Sequence, residues 1–493
     1  MYKVIRIVLA SLCFIAITLL FLDFTGTAAS LWGWLAKVQL IPAILSLNLV
    51  ALAVILLLTV IFGRIYCSVL CPLGVMQDCI NRVRGMVGNK KSRKNRFAFK
   101  PALAPLRIVI LAAFVIAVGC GFMSVAALIE PYSEYGRIAS TFFAPVYDWC
   151  NNLLASQAEY HESYLFYHVT PRAVMLPAII LAGITFVVVA LFAWFDGRGY
   201  CNKICPVGTI LGYLSKVSLL KPVIDKSKCN GCRKCERNCK ASCIDARNHI
   251  IDYSRCVDCM DCIGNCSTGA IRYTVRRASS QVAPDESRRT FIATGLVFAG
   301  ALATKAEDKI TDGGIAAIIP KQKPQRQNRI APPGAVSVSN LERHCTSCQL
   351  CISECPNGVL RPSMSAATFM QPEVSYEYGY CRPECTRCSE VCPAGAIIRV
   401  NREEKSVTQI GHAVVDIDVC LSATGAESCG KCSRTCPAEA IVMVGRDKDN
   451  EESPLMPVVN ESLCIGCGAC ENLCPVSPLS AIHVEGHSVH RKI

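Results

Sequence analysis

Histidine is scarce in this chain, and so are the motifs that announce most enzyme classes. Only 8 histidines occur among 493 residues. There is no Gly-rich dinucleotide fingerprint, no His-Glu metalloprotease motif and no nucleophile elbow. Nicotinamide, zinc-peptidase and α/β-hydrolase chemistry therefore lack their residues. No pair of histidines sits within an apolar run as a b-type haem would need. His161 and His168, in a loop, remain as isolated candidates for a haem or quinone site, and His483, His487 and His490 read as a solvated tail. Acidic residues are also the minority, 38 against 51 Lys and Arg, for a formal charge of +13. A basic chain raises nucleic acid as a partner. Here much of the excess flanks apolar segments, which is the pattern of membrane topology, and no nucleic acid is expected.

Hydrophobic residues make up 52% of the sequence. Four runs are long enough for a bilayer, which takes about 20 residues of helix. They cover residues 5–22, 39–62, 102–128 and 172–195. The loop after the second run contains Arg64, Arg82, Arg84, Lys90, Lys91, Arg93 and Lys94, so the positive-inside rule makes it cytoplasmic. The loop after the third carries Glu130, Glu134, Asp148, Glu159 and Glu162 and belongs outside. Lys3 and Arg6 keep the N-terminus inside, and Arg198, Lys203, Lys216 and Lys221 follow the fourth run on that same side. The outer loop is rich in rings, among them Tyr132, Tyr135, Tyr147, Trp149, Tyr160 and Tyr167. They read as an interfacial aromatic belt, with Glu130 and Glu134 as alternative acceptors of quinol protons.

Cysteine is abundant, with 33 residues and an odd total. In so long a chain this favours metal or redox chemistry over a disulfide scaffold. Cys229, Cys232, Cys235 and Cys239, then Cys256, Cys259, Cys262 and Cys266, repeat the spacing CxxCxxCxxxC. In such a run three thiolates of one tight loop hold a 4Fe-4S cubane and the fourth crosses to the neighbouring cluster. One cluster is thus expected on Cys229, Cys232, Cys235 and Cys266, the other on Cys256, Cys259, Cys262 and Cys239. A structural zinc ribbon would show separated CxxC pairs around one ion instead. Two positions depart from the bacterial ferredoxin run: Lys240 and Ser267 stand where proline normally follows the fourth cysteine. Cys243 reads as a core residue and not as a ligand.

Four further sets follow. Cys345, Cys348, Cys351 and Cys355, and Cys464, Cys467, Cys470 and Cys474, have the full spacing and its proline. Two looser sets lie between them: Cys381, Cys385, Cys388 and Cys392, and Cys420, Cys429, Cys432 and Cys436. Six cubanes are expected in all. Between the ferredoxin-like regions, Arg288 and Arg289 precede a short apolar stretch, 291–303, in a frame resembling a twin-arginine export signal. An ordinary short helix there would leave the last domain inside. The expected divisions are 1–220, a four-helix transmembrane domain; 221–278, a cytoplasmic two-cluster ferredoxin domain; 279–305, the twin-arginine-like segment; 306–335, a Pro- and Gln-rich linker; and 336–493, a separately folded four-cluster ferredoxin domain. The fold class is an α-helical four-helix membrane domain with α+β bacterial ferredoxin-like domains.

One repeat remains. Residues 63–74 read GRIYCSVLCPLG and residues 197–208 read GRGYCNKICPVG, each at the cytoplasmic end of an apolar run. On a helix, positions i and i+4 share a face. Two such faces can present Cys67, Cys71, Cys201 and Cys205 as four thiolates, the ligand count of a seventh cubane. A pair of redox-active dithiols, or simple helix ends, are the alternatives.

With its two CxxxCP motifs followed by two ferredoxin motifs, the first part of the chain resembles the H-type membrane quinol dehydrogenase subunit of periplasmic nitrate reductase systems and its methylamine-utilisation relative. The twin-arginine-like segment followed by four cubane motifs resembles the G-type ferredoxin subunit of the same systems, so the chain looks like a fusion of the two. The resemblance implies a multi-pass inner-membrane protein with its last domain in the periplasm. It implies electron flow from the quinone pool, with quinol as donor, through the clusters to a redox partner such as a cytochrome or reductase. It also implies nested pairing of the last four motifs, in which the outer two exchange fourth cysteines and the inner two do likewise. Membrane iron-sulfur proteins with the same CxxxCP frame also act as reductases in the assembly of redox enzymes, which is the competing expectation. A redox sensor is a third, and six clusters exceed what sensing needs.

Overall fold

The computed structural model describes residues 2–87, 97–163, 166–169, 172, 174–275, 320–447 and 453–493. The twin-arginine-like segment and the first part of the expected linker lie outside them.

Helices α1 (Tyr2–Leu22) and α6 (Leu176–Asp196) are each 21 residues, about 32 Å at 1.5 Å per residue, and are long and apolar enough to cross a membrane. The two middle runs are shorter as helices. Helix α2 (Leu49–Phe62) has 14 residues and α4 (Ala104–Gly119) has 16. Backbone chemistry breaks both runs. Between the short helix Leu40–Leu45 and α2, Leu47 takes a left-handed φ of 52° and the Asn48 side chain caps the Ala51 N–H. After α4, Gly121 at φ 83° turns the chain into the single turn Met123–Ala126. The outward faces stay apolar: Val8, Leu9 and Leu12 of α1, Ile108, Val115 and Ile116 of α4, and Ile180, Ile184 and Leu191 of α6 are exposed, as suits lipid.

Two further helices pack against this set, the first buried over its opening turns and the second throughout. Helix α3 (Pro72–Val87) starts on the proline of the first CxxxCP motif. Helix α5 (Pro131–Ile138) starts on Pro131, with the Glu130 carboxylate accepting from the Tyr132 and Ser133 N–H groups. Every residue of α5 is buried. The aromatic belt expected of the outer loop is therefore only partly realised. Trp149, Tyr160 and Tyr167 are exposed, whereas Tyr132 and Tyr135 are packed within the helices against Phe21.

Ferredoxin-like units cap the helices at both ends. At the first end lies an α+β unit whose outer strands β1 (Leu220–Ile224) and β4 (Ile271–Val275) pair antiparallel around an inner pair, β2 (Ile244–Asp245) and β3 (Ile250–Ile251). It meets the start of α1 through Lys3–Asp261, the end of α2 through Asp258 at Gly63, and the start of α4 through Arg107–Ser254. At the opposite helix ends sits the region from 336 onward. Arg387 donates to the carbonyls of Phe24 and Thr25 beyond α1, Gly395 packs on Ser46 before α2, and Ser124 beyond α4 donates to Ala367.

That second region has two parts. Strands β5 (Leu360–Pro362) and β6 (Pro372–Val374) pair within the first, and its core is not closed on itself. Leu341, Cys345, Cys348 and Leu350 share one buried cluster with Phe21, Tyr132 and Ile138 of the helices. The second part repeats the topology of the first-end unit: β7 (Thr408–Val415) pairs with β10 (Ile482–Lys492) around the inner pair β8 (Ile441–Gly445) and β9 (Leu455–Val459). His487 and His490 belong to β10 and are not a solvated tail. His487 is 9% exposed and hydrogen-bonds His412 at 3.0 Å.

Candidate iron–sulfur centres

A recurrent backbone shape builds the cysteine loops. In the four motifs of full spacing, the residue before the second cysteine is left-handed: Gly231, Asp258, Ser347 and Gly466, with φ from 47° to 71°. The residue after the second cysteine is left-handed as well, at Arg233, Met260, Gln349 and Gly468, where it caps a short helix carrying the third cysteine. Successive left-handed turns form a nest of N–H groups that suits the negative charge of a thiolate-bound cluster. Five of these eight residues are not glycine, and each accepts a strain of about 1 kcal/mol to hold that shape. The two looser motifs keep less of it. Gly430 is left-handed at 107°, and Thr386 is not, at −117°.

In the first-end unit, Cys239, Cys243, Cys256, Cys259 and Cys262 line one pocket of about 390 Å³, so Cys243 stands beside the four thiols that the spacing groups together. Cys229 and Cys232 lie beside Cys235, and Cys266 packs in the same core. Cys243 is buried, 1% exposed, and its sulfur is 3.5 Å from that of Cys239.

The second region corrects the nested pairing. Cys392 lies beside Cys345, Cys348 and Cys351, while Cys355 lies beside Cys381 and Cys388. Cys474 joins Cys420, Cys429 and Cys432 around a second pocket of about 390 Å³, and Cys436 joins Cys464 and Cys467. Consecutive motifs exchange their fourth cysteines, because the ribbons β5–β6 and β8–β9 fold each motif back onto the next. The two pairs meet where the Cys381 N–H donates to the Cys467 carbonyl at 2.9 Å, beside buried Tyr376, whose hydroxyl donates to the Gly466 carbonyl at 2.5 Å. Backbone N–H groups also point at sulfur, from Ser347 to Cys345, Ile397 to Cys392 and Ala440 to Cys436. Such bonds favour thiolate over thiol. Among the described residues, no three His, Cys, Asp or Glu side chains close on a single metal ion.

The CxxxCP motifs do converge. Cys67, Cys71, Cys201 and Cys205 are 3–4% exposed and lie close to one another. The repeat is reciprocal around them. Arg64 reaches the Cys201 carbonyl and Arg198 reaches the Cys67 carbonyl, and both arginines are fully buried. A Cβ on Gly74 would lie 2.5 Å from Arg198 Nη1, and one on Gly208 2.8 Å from Arg64 Nη2, so each glycine makes room for the other motif's arginine. Donors converge on the sulfurs: Gln77 Nε2 on Cys201 at 3.1 Å, the Gly208 N–H on Cys205 at 3.3 Å and Arg64 Nη2 on Cys67 at 3.9 Å. Two buried guanidiniums, with donors aimed at three of the four sulfurs, fit the net negative charge of a thiolate-held cubane.

The same motifs dock the first-end unit. The Arg64 N–H donates to Asp258 Oδ2 at 2.8 Å and the Arg198 N–H to the Lys240 carbonyl at 2.7 Å. Lys240 Nζ and Arg198 Nε both reach Asp78 at 2.7 Å, with Arg6 at 3.2 Å. These cations hold the Asp78 carboxyl well below the usual carboxylate range. Lysine at 240, in place of the ferredoxin proline, thus serves the docking. In the sequence Arg64 and Arg198 stand out only as charges that set topology, although both repeats share that arginine, and nothing there marks Asp78 or Gln77.

On the other side, α5 separates the CxxxCP thiols from the second region. Tyr200, which precedes Cys201, donates to the Glu134 carboxylate. A Cβ on Gly136 would lie 2.4 Å from the Cys348 carbonyl, and the Ser140 hydroxyl donates to Gln349 at 2.8 Å. One short helix thereby touches both thiol sets. His161 and His168 join no thiol set; His168 pairs with Glu159 at 3.5 Å.

Comparison with known proteins finds iron–sulfur families along the chain. A family model described as a 4Fe-4S binding domain matches residues 46–95 and 178–226, the two CxxxCP segments, and one described as a 4Fe-4S dicluster domain matches 427–477. The ferredoxin-type protein NapG of Escherichia coli is 30% identical over 210 residues, 40% of this chain and 84% of its own length. The ferredoxin-type protein NapF of the same organism is 29% identical over 161 residues, 32% of this chain and 88% of its own. The methylamine utilization ferredoxin-type protein MauM of Paracoccus denitrificans is 30% identical over 170 residues, 32% of this chain and 73% of its own. With its paired cubane loops and this shared length, the chain belongs to the family of ferredoxin-type 4Fe-4S electron-transfer proteins that includes NapG and MauM.

Proposed function

We propose that this chain is a membrane-spanning 4Fe-4S conduit, a fusion of H-type and G-type subunits, that takes electrons from quinol and delivers them to a redox partner protein across the membrane. The observation that carries the reading is the position of the CxxxCP thiols. Their motifs dock on the first-end unit through the Arg64 N–H on Asp258 and the Arg198 N–H on the Lys240 carbonyl, and through Tyr200 and α5 they adjoin the loop of Cys348. Helices α1, α2 and α4 each touch one ferredoxin region near one end and the other near the opposite end. That arrangement fits the first unit inside the cell and the second outside.

Seven thiol sets follow one another in this reading. The set of Cys229 comes first, then those of Cys256, Cys67, Cys345, Cys381, Cys464 and Cys420. Bound there, 4Fe-4S clusters supply one-electron carriers. The protein's own part is to hold the thiolates, bury their charge beside Arg64 and Arg198, and exclude water from the join at α5. Two experiments test this. Purified protein in vesicles should show cluster reduction by a quinol analogue, and no reduction would overturn the donor. Alkaline phosphatase fused after Ile493 should be active in cells, and an inactive fusion would place the second region inside.

A further inference from the structure

A solvent-open cavity beside a thiol set lies at the first end of the helices. It has an empty volume of about 1090 Å³ and is lined by Lys3, Arg6, Ile7, Ala10 and Ser11 of α1, by Val75, Asp78, Cys79, Asn81 and Arg82 of α3, and by Asn238, Lys240, Asp261 and Asn265 of the ferredoxin unit. We infer that this cavity binds the quinol headgroup, at the wall of the cubane held by Cys239, Cys256, Cys259 and Cys262. The inference rests on the quinol-conduit reading and adds the place of entry.

Three observations converge on it. The first is proximity. Lys240 follows Cys239, and Asp261 precedes Cys262, so two wall residues are chain neighbours of two thiols of one set. The second is access from lipid. One wall is α1, whose adjacent Val4, Val8 and Leu12 are exposed and apolar, and the other is α3, whose Val83, Met86 and Val87 are exposed. A long isoprenoid tail can remain in the bilayer while the ring enters between the two helices. The third is hydrogen-bonding chemistry. A quinol O–H donates, whereas the carbonyl of the product quinone accepts, so the site needs both kinds of partner. Asn81 Oδ1, an acceptor, and Arg6 Nε, a donor, belong to side chains only 7% and 8% exposed and have no partner. Buried polar groups left unpaired are costly and mark places where a ligand or water belongs.

The step balances simply. The quinol ring gives up two electrons and two protons and leaves as quinone. Cys239, Cys256, Cys259 and Cys262 would hold a 4Fe-4S cluster there, a one-electron carrier that would take the two electrons in turn and hand each on to the next thiol set, while the two protons leave to water at the cavity mouth. Asp78 stays ionised because Arg198 and Lys240 hold its carboxyl low, so it orients Arg6 and Lys240 and takes no proton.

The test uses the full chain in vesicles with its clusters assembled. Ser11→Trp, at an exposed position of the wall, should raise the quinol-analogue KM at least tenfold or abolish cluster reduction, while dithionite reduces the same clusters and the iron content is unchanged. Asn81→Leu should weaken the quinol analogue similarly. A binding readout is independent of turnover. Cys79 lies in the wall, is exposed and belongs to no thiol set, and a bound quinone analogue should protect it from alkylation, read by mass spectrometry of its peptide. If wild type responds to quinol but Ser11→Trp and Asn81→Leu respond equally well and Cys79 is not protected, the cavity is not the site. Protection of Cys79 by anionic phospholipid and not by quinone would make it a lipid site and overturn the inference. If wild type itself is never reduced by quinol, the conduit reading fails first.

Discussion

At the scale of residues, charges lie buried beside the thiols. Asp78 is met by Arg6, Arg198 and Lys240, all of them little exposed. Removing one side of a buried ionic group costs about 3–5 kcal/mol, because the remaining charges stay buried without compensation. Asp78→Ala should lower stability by about that much in chemical denaturation and loosen the first-end unit, read as protease sensitivity near residues 221–275. Cys67 is held among Cys71, Cys201 and Cys205 under two arginines. Cys67→Ala should remove about four iron atoms per chain by metal analysis, and unchanged iron would return the CxxxCP motifs to dithiols or helix ends. A pH effect belongs to His490. Burial pushes its imidazole down to about 4, and neither ring nitrogen has a partner. The unfolded chain takes up its proton near the ordinary value of 6.5, so stability from this group is full above that pH and falls as pH drops toward 4. The melting temperature of the second region should decline over that window, and His490→Phe should flatten the decline.

At the scale of elements, α5 is the join. Gly136 has no room for a side chain against the Cys348 carbonyl and Phe21, and overpacking of this kind costs about 1–3 kcal/mol. Gly136→Leu should therefore separate the second region from the helices while leaving the first-end thiol sets assembled, seen as faster proteolysis of residues 336–493 and a normal first-end cluster signal. This helix also marks the limit of what was legible in the sequence. The cysteine loops and the nearness of Cys239 to Cys256, Cys259 and Cys262 were legible from spacing, because three thiols of one tight loop leave the fourth to a neighbour. The four apolar runs were legible as helices, but not the breaks at Leu47 and Gly121, where single backbone conformations decide. Tyr132 and Tyr135 read as an interfacial belt because a sequence shows amphipathic rings and not what packs over them. The nested pairing came from the resemblance and not from the residues, and motif spacing could not have corrected it, because spacing carries no information about ribbons as short as β5–β6, which bring neighbouring motifs together.

At the scale of the whole molecule, the claim is one line of thiol sets running from the first-end unit, through the CxxxCP nest, to the second region. The Cys381 to Cys467 hydrogen bond continues that line into the last pair. Its most direct test is to cut the line in the middle. Reconstituted wild type and Cys201→Ala would each be given a quinol analogue, and the reduced clusters assigned by electron paramagnetic resonance against variants lacking the first-end or the second-region sets. Wild type should show reduction in both regions, and Cys201→Ala reduction in the first-end clusters alone. Reduction of the second-region clusters in Cys201→Ala to the wild-type extent and rate would contradict the account.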